Sequence, residues 1–224
     1  MLLNTPVRHV PSEDGRAQGV ALDTGFRPHD WVVTTLLRPH MRNLLSAELE
    51  AALPPDPNRY LGVVCLVARV RRSVSPYYAL NITDRSIPLT SVVETTHVVD
   101  PEHVGGHLIY VPRYVLPESE DLERPTDEIK REYLAEVRRM FPEFRPRDVI
   151  ASQVARARYA EPVHRVGVHS RVPELVPAPG LVVASSAHVY PEVVHAHSIM
   201  GVAERTTEAV LARLADAEPQ RVAA

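Results

Sequence analysis

The central part of the sequence contains four strand-like runs in succession, with no long helix between them. They read YLGVVCLVARV from Tyr60, YYALNIT from Tyr77, IPLTSVVETT from Ile87 and HLIYVPRYV from His107. Strands that follow one another without an intervening helix are typical of an antiparallel sheet. We therefore predict such a sheet in the middle of the chain. It precedes an amphipathic helix in TDEIKREYLAEVRRMF, whose inner face carries Ile129, Tyr133, Val137 and Met140.

The two ends of the chain have a different pattern. TPVRHV and GVALDTG flank the turn-rich PSEDGRAQ and predict a β-hairpin, and DWVVTTLL predicts a buried strand. RPHMRNLLSAELEAAL predicts one helix with Met41, Leu45, Leu49 and Ala52 on one face. Further on, DVIASQVARARYAEPV reads as extended and GLVVASS as the last strand. The last helix is predicted in SIMGVAERTTEAVLARLADA, with its inward face formed by Ile199, Val202, Thr206, Val210 and Leu214.

These patterns predict an α+β fold with an inserted domain. An α/β remnant at 1–56 and 178–218 would enclose a domain with an antiparallel sheet and a helix at 57–177, and 219–224 would be a frayed tail. The strand of Val7 and the strand after Gly180 must then meet in one layer, although they lie near opposite ends of the chain.

Composition narrows the class of protein. A chain of 224 residues allows one or two domains, and a net charge of −3 indicates neither nucleic acid nor an anionic membrane as a partner. No run approaches the roughly 18 apolar residues of a membrane span, and the start does not resemble a signal peptide. Cys65 is the single cysteine, so an internal disulfide is excluded. A buried, inert thiol is favoured over a nucleophile there, and a reducing cytoplasm fits best.

Four segments in collinear order resemble a known family. NITDRSIPLTSVVETTHV, GGHLIYVPRYVLP, VARARYAEPV and GLVVASSAHVYPE are similar to the C-terminal half of the FAD-dependent amine oxidase superfamily. The nearest branch is that of the protoporphyrinogen-oxidase and UDP-galactopyranose-mutase-like flavoproteins. The resemblance implies an FAD domain interrupted by a substrate domain. The N-terminal portion with G-x-G-x-x-G, which holds the FAD pyrophosphate in the family, has no match here; Gly105 and Gly106 fit no such motif.

The resemblance also assigns cofactor roles. It implies that the Val7 backbone meets the adenine, that Thr34 and Thr35 lie along the adenosine, and that Ser185 and Ser186 lie near the ribityl chain and pyrophosphate. It further implies a helix start at the pyrimidine edge of the flavin, where backbone N–H groups and the helix dipole stabilise negative charge on the reduced ring. The residues of that helix start are His197, Ser198, Ile199 and Met200.

Other side chains allow a functional and a structural interpretation. Tyr77, Tyr78 and Tyr110 would line a substrate pocket or be half-buried sheet aromatics. Glu94 is a candidate substrate-binding carboxylate or general base, or a strand-end carboxylate bonded to neighbouring threonines. Arg156 and Arg158 share a face that would meet an anion or water.

Three further kinds of site are disfavoured. A metal site at His103 and His107, or at His195 and His197, lacks a completing acid. A serine hydrolase at Ser185 or Ser186 lacks the G-x-S-x-G elbow. Many amine oxidases position a water at flavin N5 with a lysine, but Lys130, the only lysine, lies on a surface-type helix.

Three functions remain open at this stage. The first is the C-terminal half of an FAD-dependent oxidoreductase for a small-molecule substrate, which needs the G-x-G-x-x-G half or a partner chain carrying it. The second is a non-catalytic binding or assembly module, with exposed apolar surface that favours a homo-oligomer. The third is a flavin-dependent isomerase. Yellow purified protein would support the first over the second.

Overall fold

The computed structural model describes residues 1–56, 58–168 and 172–222, with side chains up to position 215. It divides the chain into two compact units, one of Met1–Arg59 with Glu161–Ala224 and one of Tyr60–Ala160. The predicted boundaries stood after 56 and after 177.

Twelve strands and five helices are assigned in the described residues. The strands are β1 (Val7–His9), β2 (Ser12–Glu13), β3 (Arg16–Ala17), β4 (Gly19–Leu22), β5 (Gly25–Pro28), β6 (Val32–Thr34), β7 (Arg59–Val70), β8 (Ala79–Asn81), β9 (Ser91–Glu94), β10 (His107–Val115), β11 (Val149–Val163) and β12 (Leu181–Val183). The helices are α1 (Arg38–Met41), α2 (Ala47–Ala52), α3 (Pro101–Val104), α4 (Thr126–Met140) and α5 (Ala196–Val222). This mixture confirms the α+β class.

The central unit is built on a five-stranded sheet in the order β11-β7-β10-β9-β8. In this sheet β10 pairs with β7 and with β9, and β8 pairs with β9, and these pairings are antiparallel, as predicted. Along β7 every second residue from Tyr60 to Val70 is buried and the residues between are half-buried, which is the two-residue period of a strand with one covered face. The covering element is α4, which packs Ile129, Tyr133 and Val137 into the same apolar cluster.

The N-terminal hairpin also forms as predicted. Strand β1 pairs antiparallel with β4, with Val7 opposite Leu22, and β4 pairs with β5. The turn-rich stretch between β1 and β4 is itself a small ribbon of β2 and β3, closed at Asp14 and Gly15, which both adopt positive φ.

The two ends of the chain meet through a pair of parallel strands. Leu181, Val182 and Val183 of β12 lie opposite Val32, Val33 and Thr34 of β6. The prediction that the Val7 strand belongs to the same layer is wrong, because β1 lies in the sheet β1-β4-β5 and β12 pairs with β6. Gly180 precedes β12 with φ +71°, and its backbone passes close to Ala17 and Asp30.

The single helix predicted across Arg38–Leu53 is wrong: the structure has α1 and α2 instead. The chain breaks at Asn43, which has φ 70°, and Ser46 caps α2 by accepting a hydrogen bond from the Leu49 amide. The backbone between the helices is bonded to Val10, whose amide donates to Leu44 and whose carbonyl accepts from Ser46. Leu53 is buried, whereas Ala52, predicted to be inward, is exposed.

The inward face predicted for α5 is only partly confirmed. Val202 and Thr206 are buried, with Ser198 one turn earlier, whereas Ile199 and Leu214 are exposed. Residues four apart stack along one helix face, so the buried stripe is Ser198, Val202 and Thr206. The backbone of α5 continues to Val222, into the predicted frayed tail; positions 223 and 224 lie outside the described residues. Within the described part of the chain, no helix combines the length and apolar character required for a membrane span.

Candidate functional site

The carboxyl ends of β6 and β12 form one edge of the terminal unit. The Ala184 amide donates to the Thr34 carbonyl oxygen at 2.9 Å, so the residues that leave the two strands emerge side by side. Ligands of α/β proteins commonly bind where the carboxyl ends of parallel strands meet. The structure thus brings together Thr34, Thr35, Ser185 and Ser186, four of the hydroxyl residues predicted from the resemblance.

These hydroxyl groups differ in their hydrogen bonds. The Thr34 side chain accepts from the Leu36 amide at 3.3 Å, and the Ser185 side chain accepts from the Ala187 amide at 3.3 Å. Among the described residues, no side-chain hydrogen bond is found for Thr35 or Ser186, which are exposed and half-buried. Thr34 and Ser185 therefore shape the edge, and Thr35 and Ser186 offer hydroxyl groups to a ligand.

A buried histidine lies directly behind this edge and was missed at the sequence level. His188 is 4% exposed, and its Nδ1 accepts a hydrogen bond from the Ser185 amide at 3.2 Å. Burial lowers the pKa of His188, and the nearby Arg205 acts in the same direction, against the backbone of Ser185 and Glu174. No partner meets hydrogen-bond geometry at its Nε2 within the described structure. The Ser-x-x-His spacing of a capping box was the signal available in the sequence.

The start of α5 is fixed by a reciprocal cap. The His195 amide donates to the Ser198 Oγ at 3.0 Å, and the Ser198 amide donates to the His195 Nδ1 at 3.2 Å. His195 Nδ1 is thus the acceptor nitrogen of that ring. The Ser198 hydroxyl is used within the cap, whereas His197, Ile199 and Met200 are exposed. The helix therefore presents these three residues and its first turn of backbone to solvent or a ligand.

Val7 lies apart from this edge, in the sheet β1-β4-β5 of the terminal unit. Strand β1 pairs with β4 alone among the described strands, so it forms an edge of that sheet. The Val7 side chain is exposed. An edge strand leaves backbone groups unpaired, which is the property that the predicted adenine contact requires.

In the central unit, two of the predicted substrate residues face opposite sides of the sheet. Ile109 pairs with Glu94, and the next residue, Tyr110, pairs with Val93. Successive side chains of a strand alternate between faces, so Glu94 shares the α4-covered face with Ile109, and Tyr110 shares the other face with Val93. Glu94 is 1% exposed. Glu94 and Tyr110 do not form one pocket.

The open face carries an apolar row. Strand register aligns Ala79, Val93, Tyr110 and Val67 across four neighbouring strands. Tyr77 and Tyr78 directly precede Ala79 and are both well exposed. Tyr110 is therefore a member of this row, and the other two tyrosines lie next to its Ala79 end in the sequence.

Other candidate side chains have structural partners. Arg156 donates to the Arg124 carbonyl and the Thr126 hydroxyl, and Arg158 to the Pro117 carbonyl and Glu123. Cys65 is half-buried, and burial raises the pKa of its thiol. His107 contacts Glu94, and His103 lies in α3. Lys130 lies on α4, as predicted for the helix of TDEIKREYLAEVRRMF.

Three solved structures illustrate the fold that this chain shares with known proteins. One named as a protoporphyrinogen oxidase, from Exiguobacterium sp. 255-15, has a TM-score of 0.63 and 16% identity over 91% of this chain and 47% of its own. An oxidoreductase from Methanosarcina mazei has a TM-score of 0.60 and 20% identity over 89% of this chain and 49% of its own. A reduced UDP-galactopyranose mutase has a TM-score of 0.57 and 13% identity over 86% of this chain and 44% of its own.

At these identities the likeness shows a shared fold, and the chain spans about half the length of each of these proteins. The comparison with curated proteins gives no match. The family model of the flavin-containing amine oxidoreductases matches residues 1–198. This range is most of the sequence and includes both strands of the parallel pair, β6 and β12. The chain therefore belongs to the flavin-containing amine oxidoreductase family.

Proposed function

We propose that this chain supplies part of the FAD site and the substrate surface of an FAD-dependent oxidoreductase. The observation that carries the proposal is the parallel pair of β6 and β12, which joins Thr34 to Ala184 at 2.9 Å within a chain of the amine oxidoreductase family. Thr35 and Ser186, which carry hydroxyl groups, follow the two strands at this edge. That edge suits the polar middle of a dinucleotide cofactor.

The residues present fit the flavin end of FAD better than its pyrophosphate. In the first turn of α5, the Ser198 amide donates to the His195 Nδ1 and the Ile199 amide to the His195 carbonyl oxygen. The described structure gives no partner for the amides of Ala196 and His197, which remain for a ligand together with the positive end of the helix dipole. These suit the pyrimidine edge of the flavin, next to His197, Ser198, Ile199 and Met200. The sequence has no G-x-G-x-x-G motif, so the proposal assigns the pyrophosphate to residues outside this sequence, in the same protein or in a partner chain.

When bound, FAD would supply the hydride acceptor for oxidation of a C–N or C–C bond of a small molecule, the hydride coming from a C–H bond at that carbon. The chain's own contribution is to orient and to stabilise. The α5 N-terminus favours negative charge on the reduced ring, and the sheet face of Tyr110, with the neighbouring Tyr77 and Tyr78, would hold the substrate. The backbone of Val7, at an open sheet edge, is available for the adenine.

The test is a titration of the purified chain with FAD, alone and together with any neighbouring gene product that carries G-x-G-x-x-G, followed by flavin fluorescence and absorbance. Thr35→Val and Ser186→Ala each remove one free hydroxyl and should weaken binding about fivefold, the effect of one hydrogen bond of about 1 kcal/mol. Thr207→Val is the control, since its exposed hydroxyl bonds only within α5 to Ala203. It should leave the dissociation constant unchanged.

The outcomes separate the alternatives. Absence of FAD binding under both conditions rejects the proposal and supports a binding or assembly module. Bound flavin that converts a substrate into an isomer without consuming an electron acceptor supports an isomerase. Light scattering during the titration reports whether a second copy or a partner chain joins the complex.

A further inference from the structure

A buried carboxyl group in the central unit holds the segment that carries two exposed tyrosines. Glu94 is among the largest fully buried side chains of the described structure. Its Oε2 accepts a hydrogen bond from the Val74 amide at 3.1 Å, and its own amide donates to the Tyr78 carbonyl at 2.7 Å. One residue therefore bonds both ends of the segment 74–78.

Two histidines complete this cluster. The His107 Nδ1 lies 3.0 Å from the Glu94 Oε1. The His97 Nε2 lies 2.7 Å from the Ser75 carbonyl oxygen; because a carbonyl can only accept, this nitrogen is the donor. The same nitrogen is 3.8 Å from the Glu94 Oε2.

The middle of the segment is held by its own serines. The Ser73 hydroxyl donates to the Ser75 carbonyl at 2.7 Å, and the Tyr77 amide donates to the Ser75 Oγ at 3.0 Å. Ser75 is itself buried. The bonds to Glu94 and His97 thus reach the Tyr77 backbone through Ser75, while the Tyr77 and Tyr78 side chains stay exposed.

We propose that Glu94 is a positioning residue: it fixes the segment that carries Tyr77 and Tyr78 through the Val74 amide, His107 and the Tyr78 carbonyl. It does not touch the substrate, because its side chain is on the α4-covered face. This inference rests on the proposed function only in treating the tyrosines as substrate-facing. The hydrogen bonds of Glu94 to Val74, His107 and Tyr78, which we call the clamp, join described residues of the central unit.

A positioning role predicts that Glu94→Gln keeps the function of the residue, because the hydrogen bonds are kept. A proton-transfer role predicts that the same substitution abolishes it, because the ionisable group is lost. A glutamine keeps the shape of the side chain. Its carbonyl oxygen can accept from the Val74 amide, and its NH₂ can donate to the His107 Nδ1 in the tautomer that is protonated at Nε2. Glutamine therefore preserves the clamp, whereas Glu94→Leu removes every side-chain bond and leaves the Val74 amide without its acceptor.

The experiment measures amide hydrogen exchange at Val74 and the fluorine resonances of 3-fluorotyrosine at Tyr77 and Tyr78, assigned through single Tyr→Phe variants. In Glu94→Leu, we expect Val74 exchange about tenfold faster, the effect of losing about 1.4 kcal/mol of protection, with shifted and narrowed Tyr77 and Tyr78 lines. In Glu94→Gln, both should stay close to the parent. Asp121→Leu is the control, since Asp121 contacts Arg113 and Arg124 in the same unit and should leave both readouts unchanged.

Unchanged Val74 exchange and unchanged fluorine lines in Glu94→Leu would overturn the proposal, and so would a Glu94→Gln variant that behaves like Glu94→Leu. If Glu94→Leu does not fold, His107→Phe replaces it. His107 is half-buried and makes one of the two hydrogen bonds to the Glu94 carboxyl group. The same changes in Val74 exchange and in the fluorine lines are expected, with smaller size. All readouts use the chain without FAD. Loss of FAD binding would reject the proposed function and leave this test intact.

Discussion

The Ala184 amide and the Thr34 carbonyl oxygen are joined at 2.9 Å, so the last residue of β6 is held beside the residue that follows β12. Further bonds extend this junction: the Val32 amide donates to the Gly180 carbonyl at 2.8 Å, and the Ala17 amide donates to the Pro179 carbonyl at 3.0 Å. The junction is built from backbone contacts, so it depends on how closely the main chains approach.

Gly180→Ala should destabilise the protein by about 2–3 kcal/mol. Its φ of +71° disfavours any side chain, and an added Cβ would lie 2.9 Å from the Ala17 carbonyl oxygen and 3.1 Å from that of Asp30. Strain at positive φ contributes about 1 kcal/mol, and the steric overlap adds to it because backbone must move. Urea unfolding of the purified variant measures the loss.

Gly15→Ala separates these two contributions. Gly15 has nearly the same φ, +72°, and an added Cβ meets nothing within 4 Å. Only the strain of about 1 kcal/mol is expected there. Equal losses for the two variants would contradict the close approach at Gly180.

The parts of the fold that follow from local periodicity were predictable. The succession of four strand-like runs identified the central sheet, and the apolar stripe of α4 identified the helix that follows it. The break at Asn43 was not predictable, because the backbone that would continue the helix is bonded to Val10, which is distant in sequence. The separation of Glu94 from Tyr110 was not predictable either. It depends on which residues pair across β9 and β10, and one step of register reverses the face of every side chain.

Acid should destabilise the terminal unit through His188. Its pKa is lowered by burial, so on acidification the unfolded chain takes up a proton before the folded one. The free energy of unfolding should therefore fall as the pH drops below about 6.5, the ordinary histidine value, and level off below the folded pKa. Urea midpoints between pH 8 and pH 5 measure this slope, and His188→Gln should reduce it.

His103→Gln is the control for the acid effect, since it replaces an exposed imidazole in α3. The slope should remain as in the parent. A His188→Gln variant with the parent's slope would show that the acid sensitivity arises elsewhere.

Alkali should destabilise the central unit through Tyr133. Burial, assisted by the charges of Asp121 and Glu132 and opposed by Arg113 and Arg124, raises the pKa of Tyr133 to about 12. The unfolded chain loses the phenolic proton near pH 10, so the stabilisation is intact below about pH 10 and is lost as the pH rises towards 12. Tyr133→Phe should flatten the pH dependence of the urea midpoint between pH 9 and pH 11. Tyr78→Phe, at an exposed ring, should leave the dependence unchanged; flattening in both variants would contradict the assignment.

Ser198→Ala should loosen the first turn of α5, the element proposed to face the flavin. The serine hydroxyl accepts from the His195 amide at 3.0 Å and contacts the carbonyl oxygens of Val193 and His195, each at 2.9 Å. Loss of a cap of this kind costs about 1 kcal/mol, so the His195 amide should exchange about fivefold faster. Ser198→Thr keeps both the acceptor for that amide and the hydroxyl donor to these carbonyls, so it should largely restore protection. Thr207→Ala, which removes an exposed hydroxyl within the helix, should change it little; faster exchange in Thr207→Ala, or none in Ser198→Ala, would mean that the cap does not hold this helix start.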